Sequence, residues 1–141
     1  MRFWDASALV GWLVAEPASA ALGRILMAEP RTALWWGTRV ECASAILRKE
    51  RDGLLRAEMA DDAWKRLLGV EEDGFVVMPT DKVRDRAVRL LRVRGLRAAD
   101  SFQLAAALEW CEERPEGEMF ICLDAKLREA AAREGFKVLP A

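Results

Sequence analysis

The sequence predicts an α/β fold in which a central parallel sheet of about four or five short strands is flanked by helices on both faces. Short apolar runs punctuated by Gly, Pro or Asp alternate with longer segments of helical periodicity. Successive runs are separated by enough chain for a crossover helix, the connection that joins parallel strands. The 141 residues, 52% hydrophobic and 32% charged, suit one domain over residues 1–141 with a substantial core.

The first strand covers Arg2 to Trp4 and stops at Asp5. A helix follows from Ser7 to Ala15, and a second runs from after Pro17 to Ala28, where Pro30 stops it. Ala33 to Trp36 forms the second strand. Thr38 opens a helix with Val40, Ala43, Ile46 and Leu47 on one face and Gly53 near its end, and Leu54 to Leu68 forms the next. Gly74 precedes a strand from Phe75 to Met78, closed by Pro79. A helix from Lys82 to Val93 is stopped by Gly95, and another spans Leu96 to Glu113. After a charged loop over Glu112 to Glu118 comes the strand Met119 to Leu123, ending at Asp124. The helix Ala125 to Glu134 stops at Gly135, before a last strand from Phe136 to Leu139.

Composition excludes several chemistries. Histidine is absent, which removes Ser-His and Cys-His nucleophile pairs and all His-ligated metal sites. The 22 Lys and Arg balance 23 Asp and Glu, so attraction to nucleic acid has to come from a local patch. Cys42, Cys111 and Cys122 are odd in number and lack C-x-x-C spacing, so they read as small hydrophobes in a reducing cytoplasm. Arg2, the run Ala8 to Ala15 and Ala18-Ser19-Ala20 loosely imitate a secretory signal, but Asp5 and Glu16 interrupt the pattern. The charge-free stretch Ala6 to Ala15 is well short of the ~20 residues a membrane span needs, so no membrane role is expected.

In open α/β sheets the functional crevice lies beyond the carboxyl ends of the strands. Asp5, Glu41, Asp100 and Asp124 fall just after strands or in the first turns of helices. Each also has a structural explanation. Asp5 and Asp124 stand where helix N-caps belong. Thr38-Arg39-Val40-Glu41 matches a capping box, in which the glutamate reaches back to the N–H of the cap residue. Asp100 lies on one stripe with Leu104, Ala107 and Cys111 in a helix with almost no polar face, so its charge needs a basic partner such as Arg97, or a bound cation. Carboxylates that meet repel one another unless a divalent cation sits among them. Hard oxygen donors without imidazole or thiolate suit Mg²⁺ or Mn²⁺, and such a site supports phosphodiester hydrolysis without histidine.

The segments Phe3-Trp4-Asp5-Ala6-Ser7-Ala8-Leu9, Thr38-Arg39-Val40-Glu41, Leu96 to Ala105 around Asp100, and Phe120-Ile121-Cys122-Leu123-Asp124 continuing through Leu127, Ala130, Ala131 and Gly135 resemble, in order and spacing, PIN-domain ribonucleases of the VapC toxin type. The resemblance spans nearly the whole chain. It implies a PIN-like fold, Mg²⁺- or Mn²⁺-dependent endoribonuclease activity, a cognate VapB-like antitoxin that blocks the site, and a homodimer. It also implies that Asp5, Glu41, Asp100 and Asp124 are the catalytic and metal-binding acids, with Asp5 and Asp100 the most direct ligands. Two positions depart from the pattern: many relatives carry histidine where Gln103 stands, and threonine or serine where Cys122 stands.

Lys82, Arg86, Arg89 and Arg92 share one face of their helix, opposite Val83, Ala87 and Leu90, and Arg97 follows just before Asp100. The stripe is either a solvated face or a track for the RNA backbone. A phospho-acceptor receiver domain is disfavoured because Phe75 to Thr80 contains no acid, and D-x-D phosphatase chemistry because Ser7 stands where the second acid belongs. The remaining alternative is a catalytically inactive PIN scaffold that binds protein or RNA.

Overall fold

A computed structural model describes all 141 residues. In chain order the elements are β1 (Arg2–Trp4), α1 (Ala6–Leu13), α2 (Ser19–Ala28), β2 (Thr32–Trp35), α3 (Thr38–Arg51), α4 (Ala57–Asp73), β3 (Phe75–Val77), α5 (Asp81–Arg94), α6 (Ala98–Trp110), β4 (Met119–Ile121), α7 (Ala125–Glu134) and β5 (Lys137–Leu139). The strands form one parallel sheet in the order β3-β2-β1-β4-β5, which places β1 at its centre.

Both faces of this sheet are covered, which is why its strands read as continuous apolar runs. Successive strand residues point to opposite faces. Phe3, Ala33 and Phe120 join the core under α5, α6 and α7, while Trp4, Leu34 and Ile121 join the core under α1 to α4. Phe3 stacks on Phe120 with ring centroids 5.5 Å apart, and burial of each aromatic side chain contributes about 1.5–3 kcal/mol. Gly74 ends α4 where the chain passes close to β2: a Cβ there would lie 2.6 Å from the Thr32 hydroxyl.

The architecture matches the sequence reading, with two local corrections. Helix α4 begins at Ala57 and continues to Asp73, later at both ends than the Leu54–Leu68 expected. Leu55 supplied an apolar signal, but it is buried from the turn after Gly53, whose φ of 74° ends the preceding helix. Beyond Leu68 the helix passes through Gly69, and Glu71 anchors its last turns by a paired contact with Arg39 at 2.9 and 2.6 Å. The second correction concerns α3, whose buried residues are Thr38, Cys42 and Ile46. Val40 and Leu47, expected in the core, are 69% and 53% exposed. Packing against α1 and α4 selects the smaller Thr38–Cys42 line and leaves part of the apolar stripe outside.

Candidate active site

Parallel strands deliver the residues that follow them to one edge of the sheet, and three of the four acids are placed this way. Asp5 leaves β1 in extended geometry and caps α1, taking the Ser7 N–H at 3.0 Å on Oδ2. The same oxygen accepts the Ser7 hydroxyl and the Cys122 thiol, the latter at 3.5 Å. Ser7 is itself tied to the end of β4, because its hydroxyl accepts the Leu123 N–H at 3.0 Å. Asp5 is therefore both a cap and something more: it is 3% exposed, and its Oδ1 takes no protein hydrogen bond. Burial pushes its carboxyl pKa up, opposed by the Ser7 hydrogen bonds and reinforced by the charge of Asp100.

Glu41 occupies the first turn of α3, which follows β2. The capping box is not made. Gly37 is the N-cap and makes no side-chain cap bond, so Thr38 is already helical. Glu41 instead accepts a hydrogen bond from the Gln103 amide of α6 at 3.0 Å, and the same amide nitrogen donates to the Thr38 hydroxyl at 2.9 Å. Burial pushes the Glu41 pKa up to about 7; the Gln103 bond opposes this, and the charges of Asp5 and Asp100 add to it.

Asp100 comes to the same edge on the first turn of α6 rather than from a strand. Its carboxylate has no ion pair, and Arg97 lowers its pKa only through space. Burial and the neighbouring Asp124 charge dominate and raise it. Asp124 caps α7, accepting the Leu127 N–H at 2.8 Å on Oδ1. None of the four acids takes part in any ion pair of the molecule.

The acids influence one another's charge, but no three of them converge closely enough to form a ready metal cage, so the closed cluster expected from the sequence is not present. The donor chemistry nevertheless fits a hard cation. Mg²⁺ keeps several waters and is held through one or two carboxylates plus substrate phosphate, and Asp5 Oδ1 and Asp100 both lack hydrogen-bond partners. Glu41 and Asp124 line a groove of about 400 Å³ with Ser7, Glu16 and Leu123. Glu41 also borders a second groove of about 620 Å³, walled by Trp35, Trp36, Val40, Pro79 and Phe102.

The basic stripe on α5 meets acids from other helices. Arg86, only 9% exposed, pairs with Glu109 at 3.2 Å and with Glu113; Lys82 pairs with Glu109 at 3.4 Å, and Arg89 with Glu134 at 2.5 Å. Arg92 and Arg97 have no ion pair. Two participants escaped the sequence reading. Ser7 had no signal beyond lying two residues after Asp5. Gln103 did have one, as the single polar side chain in the run from Phe102 to Leu108. At the other departure, Cys122, burial and the Asp5 charge raise the thiol pKa, so the residue remains protonated and serves Asp5 as a donor.

A five-stranded parallel sheet with helices on both faces and acids at its carboxyl edge is the α/β architecture expected of a PIN-like fold. Its fold is shared with PAE2754 from Pyrobaculum aerophilum, at a TM-score of 0.67 and 22% identity over 98% of this chain and 88% of that one. It is shared with FitAcB from Neisseria gonorrhoeae, at 0.65 and 16% over 98% and 96% of the two chains. A toxin–antitoxin complex from Klebsiella pneumoniae matches at 0.60 and 13% over 89% and 88%. At these identities the likeness is one of fold. No protein-family model and no curated protein sequence matches the chain.

Proposed function

We propose that this protein is a Mg²⁺- or Mn²⁺-dependent endoribonuclease and the toxin of a type II toxin–antitoxin pair, acting in the cytoplasm. The observation that carries the reading is electrostatic. At one edge of the sheet Asp100 repels Asp5, both repel Glu41, and Asp124 repels Asp100, and none of the four has a cationic side chain in contact. Asp5 is buried and the other three are half-buried; carboxylates so placed without a counter-charge are costly, and a divalent cation together with a phosphodiester offsets that cost. When bound, the cation supplies acidified water and neutralises charge developing on a phosphoryl oxygen. Asp5 and Asp100, whose carboxylates retain acceptor capacity, would hold it, and Glu41 and Asp124 at the groove would accept hydrogen bonds from the attacking water, while Ser7 holds the Asp5 side chain in place through Oδ2.

Arg92 and Arg97, unpaired, contact the RNA backbone, with Lys82 and Arg89 joining as their pairs exchange with phosphate; Arg86 is held too firmly to contribute. The neighbour that is a toxin–antitoxin complex supports a VapB-like antitoxin as partner. Exposed Trp36 and Val40 beside Glu41, and the groove between α3 and α4 lined by Ala43, Ile46, Leu47, Ala60 and Trp64, offer apolar surface for that antitoxin and for a second copy of the chain. The absence of a ready metal cage favours one other reading, a scaffold that binds protein or RNA without cleaving it. The two readings separate in a Mn²⁺ titration by calorimetry: saturable binding that Asp100→Asn removes supports the nuclease, and no binding supports the scaffold.

A further inference from the structure

We propose that Gln103 is a positioning residue of the acidic edge: its side-chain amide holds the Glu41 carboxylate at the lip of the groove. The inference rests on the nuclease reading above and names a residue through which that site is built.

Gln103 is fully buried on α6, a helix whose other buried residues are Ser101, Leu104, Leu108 and a run of alanines. A polar amide there is unfavourable unless its hydrogen bonds are made. Only half of them are. The nitrogen donates to the Glu41 carboxylate at 3.0 Å and to the Thr38 hydroxyl at 2.9 Å, while Oε1 is buried with no partner. The amide turns its nitrogen toward Glu41, where a carboxylate oxygen accepts. A residue kept for stability alone would be apolar at this depth, since an orphaned buried acceptor costs about 1–3 kcal/mol.

The amide changes where Glu41 points. Thr38 to Glu41 has the spacing of a capping box, in which the carboxylate folds back onto the backbone and is lost to any ligand. Here the helix begins at Thr38 with Gly37 as its N-cap, so Glu41 stands one position past the box, and both side chains face Gln103. Glu41 is thereby placed where it borders both grooves at the sheet edge. Gln103 touches neither groove, so it acts through Glu41 alone.

The test measures Mn²⁺ affinity by calorimetry and RNA cleavage kinetics for the wild type, Gln103→Met, Glu41→Gln and the double variant. Methionine keeps the volume and removes the amide. Expected for Gln103→Met are Mn²⁺ binding weakened about 10–100-fold, a comparable fall in kcat, an almost unchanged KM for RNA, and a melting temperature no lower than wild type. The double variant should be no worse than Glu41→Gln, since the amide has no other route to the site. If Gln103→Met does not fold, Gln103→Asn keeps the amide but stops a methylene short of Glu41, and the same losses are expected. A Gln103 variant that binds Mn²⁺ and cleaves like an active wild type overturns the role alone, as does a defect that adds in full to that of Glu41→Gln. A wild type that binds no Mn²⁺ overturns the nuclease reading and this role with it.

Discussion

Replacing Glu41 with Gln should change how stability depends on pH, in a direction the structure dictates. Burial raises the folded-state pKa of Glu41 from 4.5 to about 7, with the charges of Asp5 and Asp100 adding to the rise. An acid whose folded pKa lies above its unfolded value contributes stability that is fully present below the unfolded value and is lost as pH rises through the folded one. The window here is pH 4.5 to about 7. The whole difference would amount to about 3 kcal/mol at 1.36 kcal/mol per pH unit, and partial solvent exposure reduces the expected effect to about 1–2 kcal/mol. Glutamine keeps the acceptor for the Gln103 amide and cannot ionise. Relative to the metal-free wild type, Glu41→Gln should therefore gain about 3–8 °C in melting temperature between pH 5 and pH 8, measured by scanning calorimetry in EDTA. Parallel melting curves for the two proteins across that range would refute the claim that Glu41 is buried among like charges.

Asp100→Asn should abolish Mn²⁺ binding while raising the metal-free melting temperature at pH 8, because it removes a carboxylate that burial and Asp124 hold above its ordinary pKa. A variant that binds Mn²⁺ normally would exclude Asp100 as a ligand. Asp124→Ala should cost about 1 kcal/mol of stability through loss of the α7 cap, and Asp124→Asn should recover most of it, as read by urea denaturation. Arg86→Ala should destabilise the fold by about 1 kcal/mol, because it removes a mostly buried side chain and leaves Glu113 without its partner, while Lys82 still pairs with Glu109. Arg92→Ala and Arg97→Ala should leave stability unchanged and each lower the salt dependence of RNA binding by about 1 in slope, measured with a variant that does not cleave.

The order of strands and helices was legible because a sheet covered on both faces writes its strands as uninterrupted apolar runs, as in Phe120-Ile121-Cys122. The placement of the acids was legible for a related reason: strands ending at one edge leave Asp5 and Asp124 there, whatever the side chains around them do. Local side-chain competition was not. Thr38 and Glu41 have the spacing of a capping box, but the helix starts one residue earlier, with Gly37 as its N-cap, and both side chains turn to Gln103 from a helix some 60 residues away. Helical periodicity placed Val40 and Leu47 in the core, whereas the third dimension chose Thr38 and Cys42. The α5 stripe looked like a free basic surface because Glu109 and Glu134, which neutralise much of it, lie on other helices. In each case the missing information was a partner distant in sequence and adjacent in space.

The most direct measurement is to incubate the purified, antitoxin-free protein with total bacterial RNA in Mg²⁺, in Mn²⁺ and in EDTA, and to map the new RNA ends, with Asp100→Asn as control. Expected are cuts at a few defined positions that depend on the metal and vanish in the variant. Identical background from wild type and variant under all three conditions would contradict the assignment of the acidic edge as a nuclease site and leave a non-cleaving binding scaffold in its place.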